Sequence, residues 1–226
     1  MPGDACELLT RDASVEPVTA ALVVMAKAPV AGRCKTRLCP PLDLAQAAAL
    51  AEAALADTLQ AVAWTPALRR VLVLDGVPGS WLPAGFELIA QRGTGLAERL
   101  RNAVRDVGGA LLVVGMDTPQ LTRALLAGAL ERLAEPATDA VLGPAADGGY
   151  WAIGLANADP AVFDGVAMST DATGAAQRAR LEDLRLRTAT LETLRDVDTF
   201  EDATAVAALA PWTHFAATLE WLGVTG

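Results

Sequence analysis

A chain of 226 residues is long enough to bury one large core, and its 53% hydrophobic content is carried by alanine-rich amphipathic runs and short apolar strands. Even the alanine-rich stretch 44–63 contains Gln46, Glu52, Asp57 and Gln60, which excludes the roughly 18 uninterrupted apolar residues of a membrane span. A net charge of −9 argues against a nucleic-acid groove, which needs a basic face.

Residues 1–19 carry four acidic groups and no basic start followed by an apolar core, so they read as a flexible leader and not as a signal peptide. A cytoplasmic protein with one α/β domain over residues 20–226 is the expectation. Cys6, Cys34 and Cys39 have no metal-type spacing, and no chemistry is assigned to them.

In chain order, Ala21–Ala26 is an unbroken apolar run, as expected of a strand buried on both faces of a parallel sheet. A long amphipathic helix is predicted over 43–63, followed by strands at 71–74 and 86–89 and a helix at 96–107. Ala110–Val114 reads as the central strand. The helix after it is predicted over 120–134, with Thr118 as cap and Pro119 in its first turn. Strands at 139–143 and 149–153 come next. Beyond residue 170 the pattern is helix 171–184, strand 186–191, helix 199–209 and helix 212–222. Such alternation predicts a doubly wound, mostly parallel sheet sandwiched by helices, which binds ligands beyond the carboxyl ends of its strands.

Four stretches carry candidate chemistry. The only two lysines, Lys27 and Lys35, lie within eleven residues that also hold Gly32, Arg33 and Arg37, between the first strand and the first long helix. Glycine lets backbone N–H groups approach an anion, and Lys and Arg add charge-assisted bonds, so this loop reads as a phosphate cradle, against the alternative of a solvated basic loop. Asp117, at the tip of the central strand, is a hard oxygen ligand placed for Mg²⁺ or Mn²⁺, or else a helix cap. Asp147-Gly148-Gly149-Tyr150 is either a tight turn before a strand or one wall of a substrate pocket. Asp198 belongs to an acidic group, Asp196 to Asp202, that ends an edge strand and opens a helix; one of these carboxylates would complete a metal site with Asp117. His214, the only histidine, is placed late in the C-terminal helix and read as a surface or packing residue. Gly93-Thr94-Gly95 lacks a third glycine and reads as a loop.

Ala26–Leu38, Gly115-Met116-Asp117-Thr118-Pro119 and Asp147-Gly148-Gly149-Tyr150, in that order, resemble the bacterial radical-SAM/selenodomain-associated, arsenosugar-type glycosyltransferases of the GT-A superfamily of nucleotide-diphospho-sugar transferases. The first stretch is also similar to phospholactate guanylyltransferases, and Asp117-Thr118-Pro119 with Val197-Asp198-Thr199 resembles the paired metal motifs of sugar-acid cytidylyltransferases, although Phe200 stands where those carry proline. The resemblance implies Asp117 and Asp198 as metal ligands, Lys27, Gly32, Arg33, Lys35 and Arg37 as phosphate contacts, and Gly148, Gly149 and Tyr150 as pocket residues. It implies catalytic roles for Lys35, Asp117 and Asp147. The expected partners are a nucleotide sugar or nucleoside triphosphate and a small-molecule acceptor. A nucleotidyltransferase acting on a small phosphorylated acceptor is the second reading, because no Asp-x-Asp pair occurs at Asp117; a nucleotide-binding module without turnover is the third.

Overall fold

The computed structural model describes residues 20–223, so the leader expected at 1–19 lies outside the described residues. In chain order the elements are β1 (Ala21–Lys27), α1 (Leu44–Trp64), β2 (Arg69–Asp75), β3 (Glu87–Ala90), α2 (Leu96–Val107), β4 (Leu111–Gly115) and α3 (Arg123–Ala134). There follow β5 (Ala140–Pro144), β6 (Tyr150–Leu155), α4 (Thr173–Asp183), β7 (Thr188–Thr190), α5 (Phe200–Leu209) and α6 (His214–Leu222). Among the described residues the strands form one seven-stranded sheet in the order β3-β2-β1-β4-β6-β5-β7. Strands β3, β2, β1 and β4 run parallel to one another, whereas β6 is antiparallel to both β4 and β5.

Strand periodicity of two sends alternate side chains to opposite faces. Leu22, Val24, Leu112 and Val114 join α1 and α3 in one core, through Leu55, Leu59, Leu126 and Leu130. Val23, Met25, Leu111 and Val113 join α2 and α4 in the other, through Leu100, Val104 and Leu181. Strands covered on both faces have to read as continuous apolar runs, and these do. Helices α5 and α6 form a further layer outside α1, where Val206 and Phe215 meet Leu50, Ala53 and Ala54. Among the described residues no helix is long and apolar enough to cross a membrane.

Helix starts follow local chemistry. Asp43 and Gln46 form a reciprocal capping box on α1, as Thr199 and Asp202 do on α5. The start expected for α3 is displaced. Thr122, not Thr118, accepts the Leu125 N–H at 3.2 Å, and residues 118–121 close a turn in which Leu121 N–H donates to Thr118 O at 3.0 Å. Thr-Pro is compatible with a turn as much as with a helical first turn, and here the turn holds. His214 stands at the first position of α6 instead of late in it. Its Nδ1 lies 2.7 Å from Oδ1 of the buried Asp57, which also accepts the N–H groups of His214 and Phe215.

Candidate functional site

The carboxyl ends of β1 and β4 lie side by side, because β1 pairs with β4 in parallel register from Ala21↔Leu111 to Met25↔Gly115. The loop leaving β1 and the Asp117 turn leaving β4 therefore open on the same edge. Val197 N–H donates to Asp117 O at 2.9 Å, which ties the 196–198 segment to that turn. Leu194 bridges to Ala145, and no longer strand forms there, which corrects the edge strand expected before Asp196.

Lys35 sits at the centre of the arrangement. Its Nζ lies 2.8 Å from Asp117 Oδ1 and 3.1 Å from Asp198 Oδ1, and it donates to Val197 O. The side chain is only 11% exposed, against about 40% for the two aspartates. Burial by itself pushes the ammonium down, but the carboxylates of Asp117 and Asp198 outweigh it and hold Lys35 above its ordinary value. The residue takes a left-handed backbone conformation, φ 46° and ψ 35°. A non-glycine residue pays strain there, and three anchoring contacts hold it in place. Arg37 Nη1 reaches Asp198 Oδ2 at 3.4 Å from a largely solvent-exposed position.

Two cavities meet at this cluster. The smaller, about 270 Å³, is lined by Lys27, Arg33, Cys34, Lys35, Thr36 and Arg37. The larger, about 630 Å³, reaches from Asp117 along β4 and β6 to Asp147, Tyr150 and the turn at 168–171. Arg37, Met116, Asp117 and Asp198 line both. The basic loop and the acidic motifs thus converge, with Gly32, at φ 74°, turning the loop.

Asp147 forms the tight turn that Asp-Gly-Gly suggests: its Oδ1 accepts the Gly149 N–H at 2.8 Å, and the side chain stays exposed at the rim of the larger cavity. Gly148 has φ 88°, and a Cβ there would come within 1.9 Å of Asp171 O. Tyr150 donates to Gln177 Oε1 at 3.3 Å, and burial raises its phenol.

Other residues at the site were singled out less sharply: Asp196 only as one carboxylate of the 196–202 group, and Thr118 only as a helix cap. Asp196 lines the larger cavity, and its Oδ1 is buried with no hydrogen-bond partner among the described residues. Burial, then the negative charge of Asp117 and Asp147, pushes its carboxyl up to about 7. Thr118 is 1% exposed, and its Oγ1 also lacks a partner. The turn before α4, with Thr170 and Asp171, contributes a rim that the run Ser169-Thr170-Asp171-Ala172-Thr173-Gly174 could have signalled by its turn chemistry. Among the described residues no three carboxylate, imidazole or thiolate groups gather as a metal cage.

Residues 44–170 match the model of a family described as uncharacterized proteins conserved in bacteria, DUF2064. The chain belongs to this family. A DUF2064 member of this kind can be compared by structure with a protein of Desulfovibrio desulfuricans G20 provisionally named a nucleotide-diphospho-sugar transferase. The two are 27% identical with a TM-score of 0.80, over 89% of this chain and 94% of that one. CMP:2-keto-3-deoxy-manno-octonic acid synthetase complexed with CTP is 12% identical with a TM-score of 0.54, over 86% and 99% of the two chains. The 2-C-methyl-D-erythritol 4-phosphate cytidylyltransferase of Thermus thermophilus is 16% identical with a TM-score of 0.53, over 85% and 99%. No curated protein matches by sequence. This DUF2064 chain has the α/β, GT-A-like fold of nucleotide-diphospho-sugar transferases.

Proposed function

We propose that this DUF2064 protein is a metal-assisted transferase that binds a nucleotide-activated sugar and passes the sugar to a small-molecule acceptor. The observation that carries the reading is the Lys35–Asp117–Asp198 cluster on the common wall of a basic cavity and a larger one. Four cationic side chains line the smaller cavity and suit the diphosphate, which Lys27, Arg33, Lys35 and Arg37 would bind and orient. Likeness to a provisionally named nucleotide-diphospho-sugar transferase supports it.

Asp117 and Asp198, on the common wall, are hard oxygen ligands of the kind a divalent cation takes, and no third carboxylate joins them in a cage among the described residues. Asp117 and Asp198 would hold Mg²⁺ or Mn²⁺, whose charge neutralises diphosphate oxygens. Lys35 adds a fixed positive charge beside the departing diphosphate. Asp147 would accept the proton of the acceptor hydroxyl as its oxygen bonds to the anomeric carbon, while the bond from that carbon to the diphosphate oxygen breaks.

Calorimetry across nucleotides and nucleotide sugars, with and without Mg²⁺ or Mn²⁺, tests the reading. Metal-dependent binding of at least one is expected, and none in the whole panel overturns it. Gly115, standing where an Asp-x-Asp pair would have its first carboxylate, favours nucleotidyl transfer as the second reading. Product analysis separates the two: nucleoside diphosphate leaves in glycosyl transfer, pyrophosphate in nucleotidyl transfer.

A further inference from the structure

The two cavities that meet at Asp117 differ in electrostatic sign. The smaller gathers four cationic side chains around Asp117 and Asp198. Among the described residues the larger is lined by six aspartates, Asp117, Asp147, Asp171, Asp196, Asp198 and Asp202, against the single cation Arg37. Lys35 and Arg37 pair with Asp117 and Asp198, and Asp202 is held by Arg195 and Thr199. Asp147 and Asp171 remain exposed at the rim, with no cationic partner among the described residues. A phosphate or carboxylate entering this space would meet uncompensated like charge with no fork of donors to receive it.

The remaining lining is of two kinds. Leu96, Leu100, Ile153 and Met168 make an apolar wall on the face of the sheet covered by α2. Thr118, next to Asp117 in the chain, also lines the cavity; it is 1% exposed and its Oγ1 has no partner among the described residues. A buried hydroxyl without a protein partner is costly and takes one from water or from a bound molecule. Carboxylates accept hydrogen bonds from hydroxyl groups while repelling anions, and a volume of about 630 Å³ is that of a small-molecule site.

Resting on the transferase reading above, we infer that the larger cavity is the acceptor site and takes an uncharged, hydroxyl-bearing molecule with an apolar segment, such as a glycoside on an alkyl chain. Phosphorylated acceptors are excluded from it. Sugar hydroxyls bind the rim carboxylates and Thr118, and the apolar segment lies along Leu96 and Leu100.

The probes are hexyl β-D-glucopyranoside, kept below its micellar concentration, and glucose 6-phosphate, titrated into the full chain by calorimetry. Hexyl glucoside is expected to bind at least tenfold tighter. Leu100→Phe narrows the apolar wall and should weaken hexyl glucoside at least tenfold. Asp171→Arg, at an exposed position that does not threaten folding, should strengthen glucose 6-phosphate at least threefold. Equal or tighter binding of glucose 6-phosphate by the unaltered chain, binding of neither probe at millimolar concentration, or no response to Asp171→Arg overturns the inference. A parallel nucleotide titration keeps the two readings apart. Neutral-probe preference without nucleotide binding sinks the transferase reading and leaves a glycoside site, whereas nucleotide binding with a preference for the phosphate sinks only the acceptor assignment.

Discussion

Asp117 and Asp198 each place an oxygen against one ammonium, so the Lys35 side chain is what makes their closeness tolerable. Lys35→Ala removes that charge beside half-exposed carboxylates, and solvent screening limits the loss of stability to about 1–2 kcal/mol. The loss in nucleotide binding should be larger in consequence: at least tenfold in affinity by calorimetry, or about 1.4 kcal/mol. An unchanged affinity would remove Lys35 from the phosphate site. Gly148 is constrained differently, by backbone. Its φ of 88° and the 1.9 Å approach of a would-be Cβ to Asp171 O leave no room for alanine. Gly148→Ala should destabilise the fold by about 2–3 kcal/mol in urea titrations, and a change smaller than about 0.5 kcal/mol, the range of an ordinary surface substitution, would mean that the turn relaxes freely. The nearness of the 27–37 loop to Asp117 was suggested by its place between the first strand and the first long helix and by the confinement of both lysines to those eleven residues. The burial of Asp196 was not, since nothing in Asp196-Val197-Asp198 tells which carboxylate is buried and which pairs with Lys35.

The inner strands β1, β2, β4, β5 and β6 were readable as elements because double-sided burial imposes apolar runs, and α1 because its apolar residues recur at helical spacing. Strand direction was less so. The five residues 145–149 between β5 and β6 are too few for a parallel crossover and agree with the antiparallel pair, but apolar content alone does not carry direction. Long-range caps are also silent in sequence. Asp57, in the middle of α1, accepts the first two N–H groups of α6 from 157 and 158 residues away, at 3.0 and 2.8 Å. Asp57→Ala strands those donors in a buried place and should cost about 2–4 kcal/mol, with α6 losing hydrogen-exchange protection first. At the sheet edge, Arg187 donates from Nε and Nη2 to Asp139 at 2.7 and 2.8 Å, holding β7 beside β5. These bonds and the Arg187 charge lower the Asp139 carboxyl from 3.8 to about 2. A carboxyl lowered in the folded state stabilises it above its unfolded value, and that contribution disappears as pH falls from about 4 through about 2. The stability gap between the native chain and Asp139→Asn should therefore close over that window. It should be small at neutral pH, because the pair is solvent-screened, and a gap that stays constant from neutral pH down through that window would deny the pair any role.

Across the molecule, the site draws on residues 27–37, 117 and 196–198, whereas the family match spans 44–170. The proposed phosphate loop and the proposed second metal carboxylate both fall outside that span, as does β1, which separates β2 from β4. A fragment of residues 44–170 would leave β2 and β4 with unpaired edges and α1 without α5 and α6, and should show no cooperative melt by circular dichroism. Only the folded full chain brings Lys35, Asp117 and Asp198 together, so a ligand of this cluster binds the native state and not the unfolded one. Mass action then fixes the size of the response. Nucleotide with metal at roughly a hundredfold excess over its Kd stabilises by about 2.7 kcal/mol. For a chain of this length each kcal/mol raises Tm by about 2–4 °C, which gives a shift of about 5–10 °C. The same nucleotide should move Lys35→Ala by no more than about half as much at equal concentration, since its Kd lies at least tenfold higher. An equal shift in both proteins would place the bound nucleotide away from the Lys35 cluster.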